Sequence, residues 1–388
     1  MPGYELIDEQ ERLAVNEVFD RGGVLFSVGF DALRQNVFRV REFESAFGRR
    51  FETKFAHAVS SGTAAIKVAL KALGVGRGDE VITQCFTFVA TVEAILESGA
   101  TPVITEVDET LTMDPEDLAA RIGPKTRAIM PVHMLGAPAR MSQIMEIARA
   151  HDLLVLEDTA QACGGTFQGK YLGTLGNVGM FSFDFGKVMT TGEGGMLTTN
   201  NHDVHLMAKE YSDHGHQNNP AFPRGSDTRR IHGFNYRMTE LAGAIGLVQL
   251  GKLESALQTQ RRNKTKIKSA LSDIPSIRFR SFADENGEIG DTLVFFLENP
   301  QLAGKAAESL ASRNVRFKIL PEALDWHFAG TWSHMLSPSN GFKGTPANLW
   351  TRSSNLLRSA IAVPILIRMD DAQIERIIDS LRYVLTHL

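Results

Sequence analysis

Between Thr63 and about Asn200 the chain alternates short apolar runs with segments whose apolar residues recur every three to four positions. Parallel strands joined by crossover helices produce that alternation, because a strand covered on both faces is apolar throughout while each helix buries one stripe. The strand-like runs are 80–83 (EVIT), 102–106 (PVITE), 128–132 (AIMPV), 153–156 (LLVL) and 179–183 (GMFSF). Helical spacing marks 63–73, 88–98, 115–121 and 141–151, and 238–268 reads as one long helix. Beyond about Ser276 the character changes to strand-like pieces (IRFRSF, TLVFFLE, VRFKIL) with helices expected over 304–313 and 370–386. The expected fold class is α/β, with a large, mostly parallel-sheet domain over 1–260 and a smaller C-terminal α+β domain over 261–388.

Composition narrows the function. With 43% apolar and 22% charged residues, the chain can bury a sizeable core, which excludes disordered and fibrous classes. Its 41 basic and 45 acidic residues leave a net charge of −4, so no overall positive field recruits nucleic acid or a membrane surface. Any anionic ligand must be held locally. The acidic, amphipathic start and the lack of a run of ~18–20 apolar residues predict neither secretion signal nor membrane anchor. Cys85 and Cys163 each sit in an apolar stretch and form no metal-spaced pair, so a disulfide framework is excluded and the reducing cytoplasm is expected. The loop 217–228, rich in Asn, Pro and Gly, is the expected flexible segment.

Three segments could carry chemistry. In Ser60-Ser61-Gly62-Thr63-Ala64-Ala65 a strand-like run meets a helix, whose first N–H groups and positive dipole end suit a phosphate; the same residues could simply cap a core helix. In LLVLEDTAQACGG a buried strand delivers Glu157 and Asp158 at its carboxyl end, where open α/β sheets bind ligands; Asp158 could equally cap the turn that follows. In GMFSFDFGKVMTTGEGG a single lysine, Lys187, stands among Phe, Gly, Val and Met. Poor solvation makes such an amine nucleophilic and suits Schiff-base chemistry, unless its stem only snorkels to the surface.

In this order, together with GDEVITQCFTFVATVEAILESGATPV and GFNYRMTELAGAIGLVQL, these segments resemble the DegT/DnrJ/EryC1/StrS sugar aminotransferases, fold type I pyridoxal phosphate enzymes, over nearly the whole chain. The opening MPGYEL and the phrases FSFDFGK and YSDHGH look like the branch that aminates an eight-carbon keto-sugar acid to 8-amino-3,8-dideoxy-octulosonate. The resemblance implies pyridoxal phosphate as cofactor, glutamate as amino donor, a keto-sugar acceptor, a role in cell-surface polysaccharide or lipopolysaccharide biosynthesis, and a homodimer with shared sites. It implies that Lys187 bonds the cofactor as a Schiff base and shuttles the proton, and that Asp158 pairs with the pyridine nitrogen. Gln161 would meet the ring's phenolic oxygen, Thr63, Ala64 and Ser182 the phosphate, and Phe88 the ring face, with Phe86 the competitor for that place. Asn235 would reach the phosphate in the neighbouring subunit.

On the substrate side the expectations are His133, His214, His216 and Arg237, with Arg224, Arg229 and Arg230 as further cations. The spacing of His214 and His216 is a weak metal signal, and no metal is expected. A nucleotide-linked 3- or 4-keto-hexose is the alternative acceptor. A nicotinamide-type oxidoreductase is disfavoured, since the glycines of GTLGNVG are wrongly spaced for GxGxxG. A catalytically silent regulatory relative is disfavoured by the intact Lys187, Asp158 and phosphate turn.

Overall fold

The computed structural model describes residues 3–219, 221–315, 318–319, 324–337, 342 and 344–388. Met1 and Pro2 of MPGYEL, Pro220 of the flexible loop, and Arg316, Phe317 and Leu320 of VRFKIL lie outside them.

Helices α1 (Glu9–Asp20) and α2 (Arg39–Arg50) precede β1 (Phe55–Val59). The alternating region follows as α3 (Gly62–Ala72), β2 (Glu80–Gln84), α4 (Ala90–Glu97), β3 (Thr101–Thr105), α5 (Pro115–Arg121), β4 (Thr126–Met130), α6 (Met141–Ala150) and β5 (Leu154–Asp158). A small hairpin, β6 (Thr166–Phe167) and β7 (Lys170–Tyr171), leads to β8 (Val178–Ser182), β9 (Gly195–Thr199), α7 (His202–Tyr211) and the long α8 (Glu240–Ala270). The C-terminal part contains β10 (Arg278–Phe279), β11 (Thr292–Phe296), α9 (Pro300–Ser312), β12 (Lys318–Ile319), α10 (Leu324–His327), α11 (Thr351–Arg358), β13 (Ala360–Pro364) and α12 (Asp371–Thr386).

Seven strands form the main sheet in the order β1-β9-β8-β5-β4-β2-β3. The stretch from β8 to β3 is parallel, and β9 and β1 add an antiparallel margin. The sheet is therefore mostly parallel, as the alternation requires. Its order doubles back between β2 and β4, and the carboxyl ends of β4, β5 and β8 open on one side. Helix α3 lies close to β8 and β9 because its inward face is Ala64, Ala65, Val68 and Ala69, all buried. A second sheet, β10-β11-β13-β12, is wholly antiparallel. Helix α8 belongs to both cores, with Leu250, Leu253 and Leu257 in the first and Ile267 in the second.

Candidate active site

Asp158 is the last residue of β5, and strand alternation sends it and Glu157 to opposite faces. On the Asp158 face is a cavity of about 320 Å³ beyond the strand ends, the usual ligand position in such sheets. Its walls include the start of α3, Phe88, Gln161, Ser182, Lys187 and His327.

The start of α3 is shaped for an anion. Ser61 caps the helix by accepting the Ala64 N–H on its Oγ at 3.0 Å. The Gly62 and Thr63 N–H groups, in the first turn, have no acceptor within the helix. Gly62 is glycine for a spatial reason: a Cβ there would sit 2.6 Å from Ser182 Cβ, so the bare backbone lets the helix start meet the end of β8.

Lys187 stands on the loop that returns β8 into antiparallel β9. Asp184 builds the turn, its Oδ1 accepting the Gly186 N–H at 2.9 Å and its carbonyl the Lys187 N–H at 3.0 Å. Opposite, the segment 86–89 is sewn to α10 and the residue after it: Thr87 N–H donates to His327 O and Val89 N–H to Trp326 O, both at 2.9 Å. That pairing separates the two phenylalanines. Phe86 is buried in the core and bridges to Phe328, while Phe88 is 41% exposed and lines the cavity, with Trp326 nearly parallel at 6.4 Å.

Burial pushes the Asp158 carboxyl above its usual value, and the Thr91 hydroxyl, the Ala160 N–H and the charge of Lys187 pull it back. Thr91 Oγ donates to Oδ2 at 2.8 Å and Ala160 N–H to Oδ1 at 3.1 Å. Gln161 accepts the Leu135 N–H on Oε1 at 3.2 Å, which leaves its Nε2 donors for the cavity.

Thr63, Phe88, Asp158, Gln161, Ser182 and Lys187 thus share one cavity, and the structure places the other expected residues elsewhere. Ala64 has given its N–H to Ser61, so Gly62 and Thr63 hold the open donors. His133 lies behind the sheet end: fully buried, it accepts the Ala139 N–H on Nδ1 and donates from Nε2 to Glu157 at 3.1 Å. It is not among the described residues lining the cavity. His214 is exposed on a left-handed turn, while His216 is buried with Arg229 and Asp227 against its ring nitrogens. Arg237 is bound to Asp213 at 2.5 Å and lines a separate hollow of about 330 Å³ with Arg41 and His57. Asn235 is exposed, its backbone bridged to Asp213. Arg224 also binds Asp213, and Arg230 binds Glu210. The sequence reading missed Thr91 and His327. Thr87 and Thr91, four residues apart around Phe88, were a usable signal; His327 comes from the other end of the chain and gave none.

A profile described as the DegT/DnrJ/EryC1/StrS aminotransferase family matches residues 30–382. The GDP-perosamine synthase of Caulobacter vibrioides is 44% identical over 224 residues, 57% of this chain and 58% of that one. Spore coat polysaccharide biosynthesis protein SpsC of Bacillus subtilis is 31% identical over 352 residues, 89% of each chain. The crystal structure of an aminotransferase from Psychrobacter cryohalolentis superposes with a TM-score of 0.85 at 28% identity, covering 98% of each chain. The chain matches 58% and 60% of the lengths of the GDP-perosamine synthases of C. vibrioides and Escherichia coli O157:H7.

The cofactor is pyridoxal phosphate. The donor set fits it: open N–H groups and hydroxyls beside Gly62 for a phosphate, a buried carboxylate one strand away for a pyridine nitrogen, and an amine on the loop after β8 for an aldehyde.

Proposed function

Because the chain belongs to the DegT/DnrJ/EryC1/StrS aminotransferase family, we propose that it transfers an amino group from glutamate to the keto carbon of a sugar, in the making of a cell-surface polysaccharide. The observation that carries this reading is that Lys187 is the single amine among the described residues lining the cavity, in the same cavity as the buried Asp158. When bound, the cofactor supplies a conjugated electron sink for the carbanion left when the donor carbon loses its proton. Asp158 keeps the proton on the pyridine nitrogen, and Gln161 Nε2 donates to the phenolic oxygen. Gly62 N–H, Thr63 N–H and the hydroxyls of Thr63 and Ser182 hold the phosphate. Phe88 covers a ring face and keeps water from it. Lys187 Nζ accepts the proton from the donor carbon and returns one to the acceptor carbon in the second half of the cycle. Borohydride reduction of the loaded protein followed by peptide mapping should mark Lys187, and a mark on Lys170 would overturn the assignment.

The acceptor we favour is a free keto-sugar acid of the 8-oxo-3,8-dideoxy-octulosonate type. The resemblance of MPGYEL, FSFDFGK and YSDHGH supports it. The charge arrangement adds to it, because three of the four candidate cations for a sugar nucleotide's diphosphate are paired with acids, Arg224 and Arg237 with Asp213 and Arg230 with Glu210, while Arg229 lies against His216. A nucleotide-linked 3- or 4-keto-hexose is favoured instead by the similarity to GDP-perosamine synthases. Mass spectrometry of products from a panel of both acceptor types decides, and amination of the nucleotide sugar alone reverses the choice.

The same reading divides the chain into functional units 1–260 and 261–388 and pairs two copies. The exposed Asn235 supports a phosphate contact across that pairing. Two free, buried cysteines support a reducing compartment, the cytoplasm.

A further inference from the structure

The first described residues lie against the lysine loop rather than trailing into solvent. Within the 3-10 turn Gly3–Leu6, Gly3 is buried and donates its N–H to the Lys187 carbonyl oxygen at 2.6 Å. A Cβ on Gly3 would collide with that oxygen and come within 3.1 Å of the Val188 carbonyl, so glycine alone permits the approach. Tyr4 stacks on Phe185, two residues before Lys187, with ring centroids 5.1 Å apart and planes 16° from parallel. Glu5 turns away from the loop. Its Oε2 accepts the N–H groups of Ile367 and Arg368, each at 2.9 Å, in the connection from β13 to α12. Leu6 offers its carbonyl to Lys252 Nζ of α8 at 2.8 Å, and Lys252 also pairs with Asp8 and Glu11.

Four consecutive residues therefore tie the peptide of Lys187 to α8 and to the C-terminal part, and none of them is among the described residues lining the cavity. We infer that Gly3–Leu6 is a positioning strap: it fixes the Lys187 peptide, hence the direction in which the amine leaves the loop, and makes that setting depend on where 367–368 sits. This rests on Lys187 being the lysine that bonds the cofactor. The residues act through Lys187 and touch no substrate. The far side of the loop is held by Thr190 and Thr191 on the Phe183 carbonyl and by buried Val188 and Met189, whereas Asp184 and Phe185, on the near side, are exposed, and that is the side the strap meets. A stacked aromatic pair and a charged acceptor on two N–H groups are contacts that hold one backbone geometry among several accessible ones.

The test uses the full chain loaded with pyridoxal phosphate, comparing wild type with Tyr4→Ala, Tyr4→Phe and Glu5→Gln. Borohydride mapping first confirms that each protein is marked at Lys187. The readouts are the pH midpoint of the bound cofactor's visible absorption and the rate of cofactor loss on dilution, with melting temperature alongside. Tyr4→Ala and Glu5→Gln should shift the midpoint and speed cofactor loss roughly two- to tenfold, the range given by losing one aromatic pair. Tyr4→Phe, which keeps the stack, should restore both. Wild-type midpoint and loss rate in Tyr4→Ala, with Lys187 still marked, would overturn the strap even if melting dropped. A mark on a different lysine in wild type would overturn the assignment and the strap together.

Discussion

Thr91→Val tests the electrostatic design of the site at its least conspicuous point. Thr91 is 1% exposed, and its hydroxyl donates to Asp158 Oδ2 at 2.8 Å while lying 2.7 Å from the Thr87 hydroxyl. Valine keeps the shape and removes the donor. A hydrogen bond to a charged group contributes about 1.5–3 kcal/mol, so the balance that keeps Asp158 ionised should weaken roughly ten- to hundredfold. Burial already raises the carboxyl, and losing a donor raises it further, so the acid limb of the pH–rate curve must move to higher pH. Stability follows the same sign. A carboxyl whose folded value is raised costs more stability as pH climbs past its unfolded value, so the deficit of Thr91→Val against wild type should be absent in acid and grow as pH rises through the raised folded value. The assay is wash-out of the α-deuterium of labelled glutamate across pH, with melting curves at each point. An acid limb that stays in place or moves to lower pH would refute the reasoning, as would wash-out within about twofold of wild type.

Asp158→Asn should retain cofactor yet lose about a thousandfold in deuterium wash-out, because an amide cannot hold the ring proton; wild-type rates would move that role to another residue. Gly62→Ala should weaken cofactor binding by about 1–3 kcal/mol, read by titration, since its Cβ would press on Ser182 at 2.6 Å; unchanged affinity would show that the two elements need not meet. Desolvation works against the Asp213 carboxylate, yet Arg224 and Arg237 hold its carboxyl below the usual range. Its contribution is therefore complete above its unfolded value, near pH 4, and is lost as pH falls through the lowered folded value. Asp213→Asn should accordingly melt lower than wild type at neutral pH, with the gap closing in acid.

The parallel core was legible because each of its strands is a continuous apolar run and each crossover helix an apolar stripe. Margins were harder. β1 (FAHAV) carries His57 at its centre and β9 (GMLTT) is half threonine and glycine, so neither shows the apolar run, yet both pair in full register. In the C-terminal part the strand-like 277–282 yields only two paired residues in β10, while β13, which pairs with both β11 and β12, follows directly on a helix and gave no separate signal. At the site, Thr63, Asp158, Gln161, Ser182 and Lys187, each singled out from a local motif, line one cavity, while Asn235 of GFNYRM does not. The partner of His133 was not legible, because following a strand does not say which face a side chain takes, and it is the buried Glu157 that meets it. The pairing of Arg237 was not legible either, because Asp213 lies 24 residues away in sequence.

Glu157 accepts N–H groups from Gly173 at 2.9 Å and from Leu175 and Gly176 at 2.7 Å each, while its neighbour Asp158 faces the cavity. The two acids are told apart by parity alone: odd and even positions of β5 look to different sides. Inserting one residue ahead of them would bring Glu157, a longer acid, to the cavity and Leu156 before the three backbone donors, whereas deleting one would bring Asp158, too short to span them, before those donors and Thr159 to the cavity. The turn before β5, where His151 and Asp152 are exposed, is where a length change would meet least packing. Inside the strand a change of one or of two residues alike carries both acids away from the donors and the cavity, so this stretch of chain is locked in its count.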